Sequence, residues 1–214
     1  MIRAVLLDMD GVLVDSEPFI LKAATMMFIE LGCTVHPADF EPFVGSGENK
    51  YLGGVAEQYG ITIDIDRAKA RTYDIYDEII AGHLRPLPGV GDFLKRCRGR
   101  SLAIAVATSA DERKLLANLD AIGLSIERFD TSVNGLEVTH RKPHPEIYLS
   151  AAARLAVEPE SCLVVEDAVN GIEAARRAGC RCAALTTSFQ AQKLTRADWI
   201  VDNLAAVPDE ALEW

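Results

Sequence analysis

Residues 3–17 read RAVLLDMDGVLVDSE, an apolar run that ends abruptly at two carboxylates. After Arg3 this run shows no alternation of polar and apolar residues, which predicts a strand buried on both faces of a parallel sheet. Three later runs share this character: 102–107 (LAIAVA), 162–165 (CLVV) and 180–185 (CRCAAL). The chain therefore contains at least four candidate buried strands.

Helical patterns separate these runs, at 111–123, 145–155 and 169–179. Each pattern has a capping Asp, an early Pro or a terminal Gly, which are the usual signals of helix ends. Strands that alternate with helices of this length predict an α/β fold with a doubly wound parallel sheet.

Residues 16–84 interrupt this alternation because they contain no strand-like run. Their helical patterns lie at 18–31, 49–59 and 66–81. We therefore expect an α/β core formed by residues 1–15 and 85–214, with a helical cap of residues 16–84 inserted after the first strand.

The composition restricts the classes of function. The chain has 214 residues, of which 49% are hydrophobic, and a formal net charge of −10. This charge disfavours a broad nucleic-acid-binding face, and we expect a small-molecule partner instead. The first apolar run stops at Asp8, too early for a signal peptide or a membrane span. Five cysteines without paired zinc-binding spacing indicate reduced thiols, so we predict a cytoplasmic protein. We separately expect that it binds no membrane and is a monomer or weak dimer.

Polar side chains follow three of the predicted strands. They are Asp8, Asp10, Thr108, Ser109, Glu166 and Asp167. Ligands of open α/β sheets bind beyond the carboxyl ends of the strands, so we expect these side chains to share one crevice. Crowded carboxylates stay ionised around a cation, and all-oxygen ligation suits Mg²⁺.

Phosphate chemistry fits this set of residues. Asp8 and Asp10 are two residues apart, so in an extended chain their side chains face the same way. One carboxylate could attack phosphorus while the other moves protons. The hydroxyl of Thr108 and the amide of Ser109 could hold phosphate oxygens, and Lys142 supplies a positive charge. Taken singly, such an Asp is more often a helix cap and such a Lys a surface residue. The combination favours the functional interpretation.

Four motifs occur in order along the chain: DMDGVLVDSE at 8–17, Thr108–Ser109, KPHP at 142–145 and EDAVNG at 166–171. Together they resemble the signature of the haloacid dehalogenase-like hydrolases. The most similar branch is the sugar-phosphatase and β-phosphoglucomutase group. The resemblance spans nearly the whole chain and implies a Rossmann-like core with an inserted helical cap.

The resemblance also implies roles for individual residues. Asp8 would be the nucleophile that forms an aspartyl-phosphate, and Asp10 the general acid and base. Thr108, Ser109 and Lys142 would stabilise the transferring phosphoryl group. The implied Mg²⁺ ligands are Asp8, the main-chain carbonyl of Asp10, Asp167, and Glu166 directly or through water.

Hydrolysis and phosphate transfer within a sugar use the same four motifs, so the cap must distinguish them. The β-phosphoglucomutases carry a His, an Arg and a Lys where this chain aligns Ile20, Glu48 and Ile75. A mutase needs positive charge at both ends of a bisphosphate, so we favour a phosphatase of small phosphomonoesters. The alternative is a β-phosphoglucomutase-type enzyme that interconverts hexose 1- and 6-phosphates. A silent binding relative is a third possibility, which the intact set of charged motif residues opposes.

The cap segment 44–54 (VGSGENKYLGG) follows no strand, which argues against a dinucleotide-binding loop. We expect it to face the active site and to bind substrate through Gly47 and Lys50, where Lys50 could replace one missing cation. The other interpretation is a plain loop that caps the next helix. We interpret His36, His83, His140 and His144 as surface or satisfied histidines, not as a ligand set.

Overall fold

A computed structural model of the chain describes residues 1–44 and 47–214. Within them, six strands form one parallel sheet in the order β3-β2-β1-β4-β5-β6. The strands are β1 (Ala4–Leu7), β2 (Ala103–Ala107), β3 (Thr131–Val133), β4 (Cys162–Glu166), β5 (Arg181–Leu185) and β6 (Trp199–Val201). This is the doubly wound order, with a topological switch point between β1 and β4.

The four apolar runs form the four inner strands, as predicted. The edge strands β3 and β6 were not predicted from the sequence. Each has only three residues and is partly exposed. These edge strands need no continuous apolar run because their side chains are only partly covered.

Side-chain alternation along the inner strands divides the core into two layers. Val5 and Leu7 of β1 belong to one hydrophobic cluster, whereas Ala4 and Leu6 belong to a second cluster on the opposite face. All four residues are fully buried. A sheet covered on both faces explains why this strand is apolar at every position.

The structure describes seven α-helices. They are α1 (Glu17–Glu30), α2 (Glu48–Gln58), α3 (Ile65–Ile80), α4 (Val90–Gly99), α5 (Glu112–Ala121), α6 (Glu146–Arg154) and α7 (Val169–Ala178). Six of them match predicted helices with small shifts at their ends, and α4 was not predicted. Helices α6 and α7 cover the Ala4 face of the sheet, and α4 and α5 cover the Val5 face.

Helices α1–α3 fill the predicted cap segment. The two chain connections between these helices and the sheet run side by side: the Leu87 amide donates to the Leu13 carbonyl at 2.9 Å, and Val14 bridges to Pro86. Buried residues of α1–α3 join the same hydrophobic cluster as Val5. The division of the chain at residues 16 and 84 stays a prediction.

Among the described helices, none combines the length and the apolar character needed to cross a membrane. All five cysteines are free thiols, and four of them are buried.

Candidate active site

Three buried carboxylates meet where β1 and β4 end. Asp8 follows β1 and continues the sheet pairing, since its amide donates to the Val165 carbonyl at 3.0 Å. Glu166 is the last residue of β4, and Asp167 follows it. One oxygen from each carboxylate lies within 4.8 Å of the others. The sheet order thus brings together the first and fourth sequence motifs.

Lys142 is the cation of this cluster. Its Nζ lies 2.6 Å from Asp8 Oδ1 and 2.7 Å from Glu166 Oε1, and only 10% of its side chain is exposed. Burial disfavours the charged lysine, but the two carboxylates outweigh burial and hold the pKa of Lys142 above its usual value. The third motif therefore joins the first and the fourth through one ammonium group.

Glu166 is fully engaged by protein donors. Its Oε1 accepts hydrogen bonds from Lys142 and from the Tyr148 hydroxyl at 2.8 Å, and its Oε2 accepts from the amides of Asp167 and Ala168 at 2.9 Å. Burial alone would raise the pKa of Glu166, but Lys142 and these hydrogen bonds outweigh it and lower the pKa. Glu166 is thus an ionised carboxylate with both oxygens occupied.

If Asp8 and Asp167 were both ionised, the cluster would hold more negative charge than Lys142 balances. Burial raises the pKa of Asp8 to about 7, with Lys142 opposing the rise and neighbouring carboxylates adding to it. The pKa of Asp167 rises to about 9, first from burial and then from repulsion by Glu166 and Asp8. A buried all-oxygen donor set with excess negative charge fits a hard divalent cation such as Mg²⁺.

Asp10 is directed to a different partner, Lys114 of α5. The Lys114 Nζ lies 3.2 Å from each carboxylate oxygen of Asp10, and the Ser16 hydroxyl also donates to Asp10. Lys114 is only 3% exposed. Burial disfavours its charge, but Asp10 and the nearby Glu17 outweigh burial and raise its pKa.

A pocket opens beside Asp10, between the core and helices α1 and α2. Its lining includes Asp10, Glu17, Ile20, Glu48, Tyr51 and Lys114. Burial raises the pKa of both Glu17 and Glu48, with Lys114 opposing the rise. The cap end of the pocket therefore presents two carboxyl groups, an aliphatic side chain and the aromatic side chains of Phe43 and Tyr51.

The second motif lies at the end of β2. Thr108 is buried, and its Oγ1 accepts a hydrogen bond from the Ala110 amide at 3.1 Å. Ser109 lines the pocket, and its carbonyl accepts from Arg141 Nη1 at 3.1 Å. Lys142 Nζ lies 3.4 Å from the Ala107 carbonyl, so this strand end reaches the carboxylate cluster.

The two cap residues predicted to bind substrate differ in position. Gly47 lines the pocket, and a Cβ there would lie 2.2 Å from Arg141 Nη1, so the cap segment packs closely on the core. Lys50 is exposed and is absent from the pocket lining, so the structure does not bring it to the site. Residues 45 and 46 of this predicted loop lie outside the described residues.

The three positions at which the β-phosphoglucomutases carry His, Arg and Lys lie in two different places in this structure. Ile20 and Glu48 line the pocket, whereas Ile75 is buried in the hydrophobic cluster. The two pocket positions thus carry an aliphatic and an acidic side chain.

Several polar residues of the site had no individual signal in the sequence. They are Ser16, Lys114, Arg141, Tyr148 and Ser188, whose hydroxyl donates to Asp167. Tyr148 occupies a core-facing position of α6, where a hydrophobic role is the simplest expectation. Lys114 lies in a charged stretch of α5 that reads as a solvated face, although the side chain is buried.

The chain is similar to proteins of known families. Residues 2–179 match the family model of the haloacid dehalogenase-like hydrolases. Over 194 residues the chain is 42% identical to Protein SUPPRESSOR OF QUENCHING 1, chloroplastic, of Arabidopsis thaliana. That alignment covers 88% of this chain but only 18% of the Arabidopsis protein.

Two further proteins match along most of their length. A phosphorylated carbohydrates phosphatase of Thermotoga maritima is 33% identical over 177 residues, which cover 83% of this chain and 82% of that protein. The crystal structure of a putative β-phosphoglucomutase, also from Thermotoga maritima, superposes with a TM-score of 0.77 at 30% identity and covers 99% and 97% of the two chains. The family match, together with this convergence of the four motifs, shows that the chain belongs to the haloacid dehalogenase-like hydrolases.

Proposed function

We propose that this chain is a magnesium-dependent phosphatase that hydrolyses small phosphomonoesters, such as sugar phosphates, through an aspartyl-phosphate on Asp8. The observation that carries the proposal is the buried cluster of Asp8, Glu166 and Asp167 with Lys142 as its cation. The Thermotoga relative, named as a phosphatase of phosphorylated carbohydrates, supports the substrate class.

Asp8, Asp167 and the main-chain carbonyl of Asp10 would hold the metal ion directly. Protein donors already occupy both oxygens of Glu166, so this residue would reach the ion through water. When bound, Mg²⁺ supplies positive charge that offsets the phosphoryl oxygens and the attacking carboxylate.

In the first half-reaction, a carboxylate oxygen of Asp8 bonds to phosphorus while the bond from phosphorus to the alcohol oxygen breaks. Asp10 gives its proton to that oxygen, and the alcohol leaves. In the second half-reaction, Asp10 takes a proton from water as the water oxygen attacks phosphorus. The bond to Asp8 breaks, and inorganic phosphate is released.

Three residues would stabilise the transferring phosphoryl group. Thr108 Oγ1 accepts a hydrogen bond from the Ala110 amide, which leaves its own hydrogen free for a phosphate oxygen. The Ser109 amide and Lys142 would supply the other donors. Fixed donors of this kind lower the barrier because they need no rearrangement during the reaction.

The pocket beside Asp10 would receive the leaving alcohol, with residues 16–84 acting as a cap. Glu17 and Glu48 suit the hydroxyl groups of a sugar or polyol and repel a second phosphate. Lys114 is already paired with Asp10. This arrangement favours hydrolysis over a mutase, which must hold a bisphosphate. A β-phosphoglucomutase remains the second candidate because the Thermotoga structure with that putative name shares the fold.

We further infer a reducing location such as the cytoplasm, supported by the five free thiols, and a monomer or weak dimer in solution. The named location of the Arabidopsis relative is the chloroplast. Mass measurement by light scattering would test the oligomeric state.

The direct test is phosphate release from a panel of phosphomonoesters, with Mg²⁺ and then with EDTA. We expect Mg²⁺-dependent release with a preference for sugar or polyol phosphates. The panel includes β-glucose 1-phosphate with a bisphosphate primer; its conversion to glucose 6-phosphate without release would identify a mutase. Silence in both assays would support a binding protein.

The role of Asp8 is tested by Asp8→Asn, which we expect to abolish turnover while the far-ultraviolet circular dichroism spectrum is unchanged. The matched control is Asp120→Asn, the same substitution at an exposed position of α5. Near-wild-type turnover in Asp8→Asn would refute the nucleophile assignment.

A further inference from the structure

The loop that carries Lys142 also brings two of the four histidines together. His140 precedes Lys142 by two residues and His144 follows it by two. Their ring centroids lie 4.5 Å apart. Both histidines are exposed, as expected, and the pair meets the carboxylate of Glu146 at the start of α6.

The three side chains are spaced as metal ligands are. One ring nitrogen of each histidine and one oxygen of Glu146 lie within 4.8 Å of one another. Glu146 Oε2 forms a hydrogen bond with His140 Nδ1 at 3.0 Å, which a metal ion would replace, and lies 3.8 Å from His144 Nδ1. Ligands of a tetrahedral zinc ion, each about 2.0–2.1 Å from the metal, lie about 3.4 Å apart, so these distances bracket the required spacing.

Hydrogen bonds hold the donor atoms in place. Glu146 accepts hydrogen bonds from the amides of Thr139 and His140 at 2.8 and 2.9 Å, which fix the orientation of its carboxylate. The amide of Glu146 donates to His144 Nδ1 at 3.3 Å, so that nitrogen carries no proton, and a metal ion would take over the lone pair that this hydrogen bond occupies.

The pair is also accessible to an ion from solvent. The side chains of His140 and His144 are 62% and 48% exposed. Water could complete a coordination sphere that the protein supplies on one side. The donor set also differs in kind from the all-oxygen cluster of Asp8, Glu166 and Asp167, because imidazole favours Zn²⁺, Ni²⁺ and Cu²⁺ over Mg²⁺ and Ca²⁺.

We propose that His140, His144 and Glu146 form a surface site for a divalent transition metal such as Zn²⁺, separate from the catalytic cluster. A bound ion would close residues 140–146 into a ring that contains Lys142, and it would fasten this loop to the first turn of α6. The consequence is a loop whose stability responds to zinc independently of substrate.

The test uses the four histidines of the chain as two matched pairs. Metal-free full-length protein is titrated with Zn²⁺ in excess Mg²⁺ by calorimetry, as wild type, as His140→Ala/His144→Ala, and as His36→Ala/His83→Ala. His36 and His83 are both exposed, so the second variant removes as much imidazole from the surface as the first. Because both variants keep the same catalytic carboxylates, any zinc bound there is common to them.

We expect wild type and His36→Ala/His83→Ala to bind one additional zinc ion that His140→Ala/His144→Ala binds at least about tenfold more weakly. Losing even a residue that only supports a metal ligand costs about 10–100-fold in affinity. Equal binding by all three proteins would overturn the proposal, as would a loss of affinity in the His36/His83 variant alone.

A second measurement guards against misfolding. Glu146→Gln keeps the carbonyl oxygen that can accept the backbone hydrogen bonds but loses the charge. We expect weaker zinc binding by Glu146→Gln with unchanged Mg²⁺-dependent phosphate release.

Co²⁺ provides a spectroscopic probe of the same site. The visible absorption of a nitrogen-ligated Co²⁺ ion should be present in wild type and absent from His140→Ala/His144→Ala. Its retention in that variant would contradict the proposal.

Discussion

Gly11 shows how a single residue without a side chain opens space for the carboxylate cluster. Its φ is +78°, in the left-handed region that favours glycine, and an added Cβ would lie 1.9 Å from Asp167 Oδ2. The turn after β1 therefore passes directly beside the carboxylate proposed as a metal ligand. Close approach of backbone to Asp167 is possible only without a Cβ at this position.

Gly11→Ala is therefore expected to displace Asp167 and to reduce Mg²⁺-dependent phosphate release by at least about 100-fold, as misplacement by about 1 Å does in other sites. The left-handed backbone adds a loss of about 1–2 kcal/mol in unfolding free energy. Initial rates and urea unfolding measure the two effects separately.

The matched control is Gly32→Ala. Gly32 has a φ of +77°, but no atom lies within 4 Å of its added Cβ. The Gly32→Ala variant should lose about as much unfolding free energy as Gly11→Ala but keep its activity. If the two variants lose activity equally, contact with Asp167 is not the cause.

At the scale of elements, α3 and α5 hold the cap helices against the core. Arg113 of α5 reaches Asp74 and Asp77 of α3 at 2.8 and 2.7 Å, and Lys69 of α3 pairs with Asp111 at 3.0 Å. The Arg113 pairs are exposed, so each contributes little to stability. Helix α2 packs against α3, and its first residue, Glu48, lines the pocket.

Exchanging the charge at the start of α2 should change substrate selection. Glu48→Arg places a cation at the cap end of the pocket. We expect the ratio of kcat/KM for a hexose bisphosphate to that for a hexose monophosphate to rise by about tenfold or more. Such a gain corresponds to one charged hydrogen bond of about 1.5–3 kcal/mol.

Glu57→Arg makes the same change of charge at an exposed position of the same helix. It should leave this ratio unchanged. A rise of the ratio in both variants would show that net charge, and not the pocket, selects the substrate.

At the scale of the whole molecule, the carboxylate cluster couples stability to pH. Asp8 and Asp167 have folded-state pKa values of about 7 and about 9, against 3.8 as the ordinary value. A raised carboxyl pKa stabilises the fold fully below the ordinary value, and this stability is lost as the pH rises through the folded-state value. Without metal, the protein should thus lose stability between about pH 4 and pH 9.

A divalent cation should reverse this trend because it replaces the protons. We expect the increase in Tm on adding Mg²⁺, relative to EDTA, to be larger at pH 8.5 than at pH 6. Thermal unfolding at the two pH values measures it, and Asp167→Asn should reduce the difference. An equal Mg²⁺ effect at both pH values would show that the ion binds elsewhere.

The sequence by itself determined the α/β class, the four inner strands and the presence of carboxylates at two strand ends. The physical reason is that a strand buried on both faces needs a continuous apolar run, which is a local property of the chain. The polar residues that end each run are equally visible, since parallel strands place them at one edge of the sheet. The edge strands β3 and β6 were not predicted because they are partly exposed and therefore lack a continuous apolar run.

Only the tertiary structure decided which side chains become partners. Lys142 and Asp8 are separated by 134 residues, and Lys114 and Asp10 by 104, so no local pattern predicts that either pair is buried together. The same holds for Tyr148 with Glu166. The His140–His144–Glu146 group lies within seven residues of sequence, but its spacing depends on the turn in which the His144 amide donates to the Arg141 carbonyl at 2.9 Å. Burial and charge pairing depend on the packed sheet and helices, whereas strand and helix type depend on neighbours along the chain.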